Sequence, residues 1–346
     1  MASRSAIALL ALSTLQASAE VVQIGVFTLF HPSELRVSPV SGPLLVAAGG
    51  RRFILEGRQS HLIRLAHLAL PVRVSARDGS DADFRLSIPG KIERQFHGVL
   101  TVQPGDHKLI AVVAMDREVA VASVVAAEMP ASTPIEALKA QAVVARSYYA
   151  AAGARHDAYE FCDTTHCQFL REPPRPESPA FRATAETRGL VLAFNGKPIA
   201  ALYSASCGGQ TRSLNDANSG YPYYSVPCDY CRRHASGVVK GHQLGLCQAG
   251  AAAMAGSLAG FREILEHYFP ATSLIQISPN AIFFLPLDPP LRHSRDEQQE
   301  NVGAFQDHPL KARIVASALL AHLWNQAILD GGRTPLPYRT AGPQGL

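Results

Sequence analysis

Short apolar segments dominate the first third of the chain. From Val21 to about Val125 they are rich in β-branched residues and are separated by Gly, Pro and Asp at close spacing. This pattern is typical of successive strands. Residue types that carry catalysis do not cluster in this stretch of sequence. We therefore interpret residues 20–111 as a β-rich region that serves as a scaffold.

A helical period replaces the strand pattern near Thr133. Apolar residues recur at spacings of three and four from Ile135 to Tyr149, which predicts an amphipathic helix. Thr133 is suited to the N-cap, and Glu136 would complete a T-x-x-E capping box with it. Gly153 is suited to end the helix.

Strands and helices are mixed further along the chain. The predicted elements are strands at residues 189–194 and 198–205 and helices at residues 248–258, 262–268 and 310–329. The two strands are separated by Asn195 and Gly196, a dipeptide that favours a two-residue hairpin turn. These elements predict an α+β fold, in which the β-rich region is followed by a mixed domain over residues 112–276. A Pro-rich segment with a C-terminal helix then covers residues 277–346.

The first nineteen residues have the pattern of a secretory signal. A basic Arg4 precedes an apolar run from Ala6 to Leu12, and the small residues 17–19 stand directly before Glu20. Polar residues after Leu12 make the run shorter than the roughly 18 apolar residues that a membrane anchor needs. We therefore expect an exported protein of the periplasm or cell envelope, with no membrane span after the signal is removed.

Charge and cysteine content narrow the function classes. A net charge of +4 is too small to indicate nucleic acid as a partner, and it does not repel a polyanionic envelope polymer. Six cysteines in an exported chain normally indicate disulfides. Their arrangement also leaves room for metal, because two of them, Cys162 and Cys167, share a short segment with His156 and His166.

This Cys/His segment has the residue types of a zinc site. Zinc prefers about four nitrogen or sulfur ligands in a tetrahedron. His156, Cys162, His166 and Cys167 lie within twelve residues, so one loop can wrap a single ion. A Cys162–Cys167 disulfide and free thiols are the alternatives, and zinc is our prediction.

The other cysteines allow two interpretations. Cys228 and Cys231 form a C-x-x-C pair, which is a common metal half-site. With Cys207 and Cys247 they could make a second zinc site or two disulfides. Because the chain is predicted to be exported, we favour disulfides here.

Five sequence blocks, taken in order, resemble the motifs of the stage II sporulation protein D family, also called the SpoIID/LytB domain. The blocks are EMPASTPIEALKAQAVVARSYY (128–149), FCDTTHCQ (161–168), YSASCGGQT (203–211), GHQLGLCQAGA (241–251) and ILEHYFP (264–270). The chain departs from the family pattern at Thr133, often a tryptophan, at Gln243, usually a glycine, and at Cys247, usually a serine. The resemblance implies a peptidoglycan lytic transglycosylase or an enhancer of cell-wall amidases. It places Glu128 at the catalytic glutamate and supports zinc at the Cys/His segment.

Glu128 stands alone, with no further acidic residue before Glu136. Cleavage of a glycosidic bond needs a protonated carboxylic acid beside the leaving oxygen, and most hydrolases add a second carboxylate. A lytic transglycosylase needs only one, because the C6 hydroxyl of the muramic acid attacks the anomeric carbon. The apolar residues on both sides of Glu128 are expected to raise its pKa.

We therefore predict a lytic transglycosylase that cleaves MurNAc-β-1,4-GlcNAc bonds of peptidoglycan glycan strands and leaves 1,6-anhydroMurNAc ends. The alternative is a non-catalytic wall-binding activator of an N-acetylmuramoyl-L-alanine amidase. A zinc hydrolase is disfavoured because the sequence has no H-E-x-x-H motif. The candidate substrate-binding residues, from the matching blocks, are Arg146, Tyr203, Ser206, His242 and Gln248. Each also has a structural interpretation: an ion pair for Arg146, core packing for Tyr203, and turn or helix-start packing for the others.

Overall fold

The computed structural model of the protein describes residues 20–216, 219–234, 238–278 and 281–285. The predicted signal segment and the predicted helix at 310–329 lie outside these residues. The strands are β1 Val21–Val26, β2 Glu34–Ser41, β3 Leu44–Ala48, β4 Arg51–Leu55, β5 His61–Arg64, β6 Val72–Ala76, β7 Ala82–Ile88, β8 Ile92–Pro104, β9 Leu109–Asp116, β10 Phe161–Cys162, β11 Leu190–Phe194, β12 Lys197–Pro198, β13 Tyr203–Ser204, β14 Ser206–Cys207, β15 Leu214–Asp216, β16 Tyr221–Tyr223, β17 Val239–Lys240, β18 Leu246–Cys247, β19 Ser273–Ser278 and β20 Ala281–Leu285. The helices are α1 Arg117–Glu128, α2 Ile135–Ala151, α3 Pro179–Glu186, α4 Asp229–His234, α5 Gln248–Gly256 and α6 Phe261–Tyr268, with one 3₁₀ turn at Leu65–His67.

The β-rich region forms one large sheet system, as its strand pattern predicted. The central path runs β10-β1-β9-β8-β6-β3-β4, and β7 pairs with both β2 and β8. The 13-residue strand β8 takes part in both sections, since its first half pairs with β7 and its second half with β6 and β9. Gly98 marks the change of partner at φ 143°, where a Cβ atom would overlap the Ala114 carbonyl oxygen.

The mixed part of the chain is built around α2. This helix packs against α1, α3, α5, α6 and β11. A second sheet has the order β12-β11-β19-β20, and its β11–β12 hairpin turns at Asn195 and Gly196, both with positive φ. The chain is thus an α+β protein, as predicted. In the described part of the chain, none of the helices has the length and apolar character needed to cross a bilayer.

Helix α1 differs from the sequence prediction, which extended the strand pattern to about Val125. Its sequence, REVAVASVVAAE, is rich in valine and resembles a strand. Asp116 starts the helix, because its side chain accepts a hydrogen bond from the Glu118 backbone N–H at 2.6 Å. The helix places Glu128 at its last position. Helix α3 was likewise not predicted.

The predicted capping box of α2 is wrong. Pro134 occupies the N-cap position, and the Thr133 hydroxyl is buried without a hydrogen-bond partner. Glu136 instead forms an ion pair with Lys139 at 2.6 Å and accepts a hydrogen bond from the Phe261 backbone N–H at 2.9 Å. Its side chain therefore ties α2 to the start of α6.

The β-rich region and the mixed part are joined directly. Strand β10 pairs in parallel with β1, and the buried Asp163 accepts hydrogen bonds from the Phe27 backbone and the Thr28 hydroxyl, both at 2.9 Å. One buried apolar cluster extends from Val22 to Leu274. The boundary predicted between residues 111 and 112 falls inside β9, so the two parts share a strand and a core.

Candidate active site

A cleft of about 530 Å³ opens where α1 ends. Its walls come from the α1–α2 connection, the loop after β10, the β13 segment and the loop that leads into α5. The lining residues are 126–131, Tyr148, Thr165, Cys167, Gln168, Phe169, 201–205, Lys240, Gly241, His242 and Gln248. The cleft thus brings together residues from four of the five sequence blocks. Among the described residues that line it, Glu128 is the only acidic one.

The Glu128 carboxyl lies half-buried in this cleft. Burial raises its pKa to about 7, although hydrogen bonds from the Tyr203 hydroxyl, the Phe169 backbone and the Gln248 side chain act in the opposite direction. Glu128 also stands at the C-terminal end of α1, where the helix dipole disfavours a negative charge. A substantial fraction of the carboxyl is therefore protonated at neutral pH, as a general acid requires.

Tyr203 is a hydrogen-bonding partner of this carboxyl. Its hydroxyl donates to Glu128 Oε1 at 3.2 Å. Burial, together with the neighbouring Glu128, raises the pKa of Tyr203 well above its ordinary value, so the phenol stays a neutral donor. The side chain lies in the cleft wall, and its hydroxyl can stabilise the carboxylate that forms once Glu128 has given up its proton.

His242 and Gln248 also line the cleft. The His242 Nδ1 atom accepts a hydrogen bond from the Leu244 backbone at 3.1 Å and lies 3.2 Å from Ser204 Oγ. Burial lowers the pKa of His242, so its imidazole is neutral and carries its proton on Nε2. Gln248 Nε2 donates to Gln141 Oε1 at 3.4 Å, which orients its side chain between α2 and Glu128.

Two predicted substrate-binding residues lie elsewhere. Arg146 is fully buried and forms a two-pronged ion pair with Glu118, with Nε–Oε1 at 2.8 Å and Nη2–Oε2 at 2.7 Å. It also donates to the Thr184 and Leu190 carbonyl oxygens. Arg146 is therefore a structural residue among α1, α2, α3 and β11, because the whole guanidinium is occupied there.

Ser206 is the second predicted substrate-binding residue that does not line the cleft. Its buried hydroxyl donates to the Val238 carbonyl oxygen at 3.2 Å and lies 3.4 Å from Cys231 Sγ, behind the cleft wall rather than in it. The neighbouring Tyr203 and Ser204 reach the cleft because they belong to β13, whereas Ser206 belongs to β14.

The Cys/His segment converges on one point. The ligand atoms of His156, Cys162, His166 and Cys167 all lie within 4.8 Å of one another. Cys167 Sγ is 3.4 Å from His156 Nε2 and 3.5 Å from His166 Nδ1, and Cys162 Sγ is 3.7 Å from His166 Nδ1. Two thiols and two imidazoles at these separations fit a tetrahedral Zn²⁺. Thr164 shapes the turn, because its hydroxyl accepts a hydrogen bond from the His166 backbone at 3.2 Å.

The other four cysteines also lie close together, and the structure has them as free thiols rather than as the two disulfides that the sequence favoured.

Several residues that line the cleft were not predicted from the sequence. Lys240 is a half-buried cation in the wall, and Tyr148 and Phe169 contribute aromatic surface. Tyr148 belongs to the first sequence block and Phe169 directly follows the second, and this proximity is the signal that could have found them.

Comparison with known proteins defines the class of this site. Residues 105–194 match the model of the family described as Stage II sporulation protein, SpoIID. This segment holds Glu128 and the Cys/His segment. This match supports the assignment to the SpoIID family that the sequence blocks indicated.

Two relatives show how far the similarity reaches. The chain is 40% identical over 97 residues to a protein of Bacillus subtilis named amidase enhancer. It is 32% identical over 125 residues to an uncharacterized protein of Brachyspira hyodysenteriae. These matches cover 28% and 35% of this chain, and they span 13% and 34% of the two relatives' own lengths.

Proposed function

We propose that this chain is an exported lytic transglycosylase that cleaves MurNAc-β-1,4-GlcNAc bonds of peptidoglycan, with Glu128 as its single acid and base. The family match and the amidase-enhancer relative support a cell-wall-related function. The observation that carries the enzymatic proposal is the Glu128 carboxyl, with its pKa of about 7, as the only acidic group among the described lining residues of the cleft.

In the proposed reaction Glu128 first donates a proton and later takes one up again. The protonated Glu128 gives its proton to the glycosidic oxygen while the bond from that oxygen to the anomeric carbon breaks. The resulting carboxylate is stabilised by the Tyr203 hydroxyl at 3.2 Å. It then accepts the proton of the C6 hydroxyl of the same muramic acid, as O6 bonds to the anomeric carbon. The product is a 1,6-anhydro ring, no water is consumed, and Glu128 ends protonated as it began.

The proposal includes Zn²⁺ at His156, Cys162, His166 and Cys167. The donor set fits this ion, and Cys167 lines the cleft itself. When bound, zinc would supply a structural cross-link. The segment from Thr165 to Phe169, which forms one cleft wall and hydrogen-bonds Glu128 through the Phe169 backbone, would then be held in place.

The test is a Glu128→Gln variant, which keeps the shape of the side chain and removes its acid. We expect release of anhydro-glycans from purified peptidoglycan to fall by about 10²–10⁴-fold. Glu177→Gln is the matched control, since Glu177 is exposed on the turn before α3, and it should retain full activity. Mass spectrometry of the digest measures both. Unchanged activity in Glu128→Gln would reject the enzymatic proposal.

A second function is favoured by one finding, the relative named amidase enhancer. The chain would then bind glycan strands and activate a cell-wall amidase without cutting the strands. The same two variants distinguish the functions. An activator without catalysis would release no anhydro-glycans, and its stimulation of an amidase would be equal in the wild type and in Glu128→Gln.

A further inference from the structure

Four cysteines that the proposed reaction does not use come together behind the cleft wall. Cys207 ends β14, Cys228 and Cys231 flank the start of α4, and Cys247 ends β18. Their four sulfur atoms all lie within 4.8 Å of one another. Each residue is at most 3% exposed. Three separate segments of the chain therefore direct their thiols to one buried point.

We propose that these four cysteines bind a structural Zn²⁺, distinct from the ion proposed at the Cys/His segment. Zinc is held by four thiolates in a tetrahedron with Zn–S distances of about 2.3 Å, which puts the sulfur atoms roughly 3.8 Å apart. The observed Cys231–Cys247 Sγ separation is 3.5 Å. A disulfide would need about 2.05 Å, and the mutual proximity of all four sulfurs singles out no two pairs.

The surroundings of the sulfurs suit thiolates. The Gly250 backbone N–H donates to Cys247 Sγ at 3.4 Å, and the Tyr268 hydroxyl lies 3.4 Å from Cys228 Sγ. Hydrogen bonds to metal ligands stabilise the anionic sulfur and fix its direction. Ser206 Oγ also lies 3.4 Å from Cys231 Sγ, but its proton is donated to the Val238 carbonyl oxygen.

Helix α5 favours a thiolate cluster at this point in two further ways. Cys247 is its N-cap residue, so the sulfur stands at the end of the helix where the dipole favours a negative charge. Gly250 allows α5 to lie close to Cys228 and Tyr268. A Cβ atom at this position would lie 2.6 Å from Cys228 Sγ and would also clash with the Tyr268 hydroxyl. A larger residue at 250 would therefore push the sulfur cluster apart.

The site would anchor one wall of the cleft. Strand β13, which carries Tyr203 and Ser204, pairs in parallel with β18, and Cys247 faces Ser204 in this register. Gln248 directly follows Cys247. An ion at the cluster would thus fix the segment that holds Tyr203 and Gln248 near Glu128. The inference does not depend on the proposed reaction, because it rests on the four sulfurs and their neighbours.

The test is the zinc content of the exported chain, purified without a polyhistidine tag. If both ions bind, elemental analysis should give two zinc per chain in the wild type and one in each double variant, Cys162→Ser/Cys167→Ser and Cys228→Ser/Cys231→Ser. The first variant keeps the four-cysteine cluster intact. Its X-ray absorption spectrum should show only sulfur neighbours, four of them at about 2.3 Å. This measurement does not require the second variant to fold.

Three results would overturn the proposal. One is a Cys162→Ser/Cys167→Ser protein that contains no zinc, or that contains iron instead. Another is a first shell with nitrogen or oxygen neighbours in that variant. The third is an intact mass, after alkylation of the unfolded chain, that shows Cys207, Cys228, Cys231 and Cys247 joined in disulfides. Because none of these results uses peptidoglycan, failure here is independent of failure of the transglycosylase proposal.

Discussion

The two ends of helix α1 carry two glutamates with opposite environments. Glu118, in the first turn, accepts two hydrogen bonds from the Arg146 guanidinium and one from the Gly189 backbone N–H at 3.3 Å. The helix dipole also favours its negative charge. Glu128, at the last position, forms no ion pair with any of the described residues and lies half-buried at the end where the dipole opposes ionisation. One residue type therefore serves as a structural anion at one end and as a candidate acid at the other.

The largest change in the free energy of unfolding is expected at the first turn of α1, where Glu118 pairs with Arg146. Arg146→Met keeps much of the side-chain volume but leaves Glu118 without its ion pair in a site where its side chain is only 17% exposed. We expect a loss of about 3–5 kcal/mol, measured by urea denaturation. Glu118→Gln in the same protein should recover part of the loss, because it removes the unpaired charge.

The matched control for this prediction is Arg182→Ala. Arg182 pairs with Glu186 on the surface of α3, with the two side chains 62% and 45% exposed. It should cost no more than about 0.5 kcal/mol. If Arg146→Met were as mild as Arg182→Ala, the two-pronged pair would not be the feature that secures α1.

Glu128, at the last position of α1, should make the free energy of unfolding depend on pH. The folded pKa of Glu128 is raised from 4.5 to about 7, so the folded state binds its proton more tightly than the unfolded chain does. The stabilisation is complete below about pH 4.5 and is lost as pH rises through about 7. The shift corresponds to roughly 3 kcal/mol at most. Glu128→Gln should not lose stability in this way, because glutamine does not ionise.

The wild type should therefore become less stable relative to Glu128→Gln between pH 4.5 and 8, by up to about 3 kcal/mol. Urea denaturation of both proteins at each pH measures the difference. A difference that stays constant over this interval would show that the carboxyl is not held protonated by its site.

A smaller effect is expected from Tyr203→Phe, which removes the hydroxyl that donates to Glu128. Because that hydrogen bond lowers the pKa of Glu128, its loss should move the pKa and the alkaline limit of activity upward. A hydrogen bond to a charged group contributes about 1.5–3 kcal/mol, so we expect the rate to fall by roughly 10- to 100-fold.

Tyr221→Phe is the control for that variant. Tyr221 is buried, and its hydroxyl also donates a hydrogen bond, but to the Pro270 carbonyl oxygen rather than to a cleft residue. It should leave the pH profile of activity in place. A shift of the same size in both variants would mean that Tyr203 acts through packing alone.

The predictability of each feature follows from the range of its contacts. The convergence of the Cys/His segment was visible in the sequence because its two cysteines and two histidines lie within twelve residues. The β11–β12 hairpin was visible because Asn195 and Gly196 determine its turn locally. Glu128 was found through the sequence block that surrounds it, although its helix was not.

The features that the sequence did not reveal depend on distant partners. Helix α1 was missed because its valines match a strand pattern, and packing against α2 and α3 overrides that local preference. The sequence allowed an ion pair for Arg146 but did not identify its partner, because Glu118 lies in that same helix. For the four other cysteines the sequence left zinc and disulfides open, because no local pattern shows how their three separate segments meet.

The central claim is that one carboxyl group cuts the strand without water. The most direct test is digestion of purified peptidoglycan in heavy-oxygen water, with mass spectrometry of the new glycan ends. We predict 1,6-anhydro ends that contain no heavy oxygen and that disappear in Glu128→Gln. Reducing ends labelled with heavy oxygen, or cleavage that persists in Glu128→Gln, would contradict the claim.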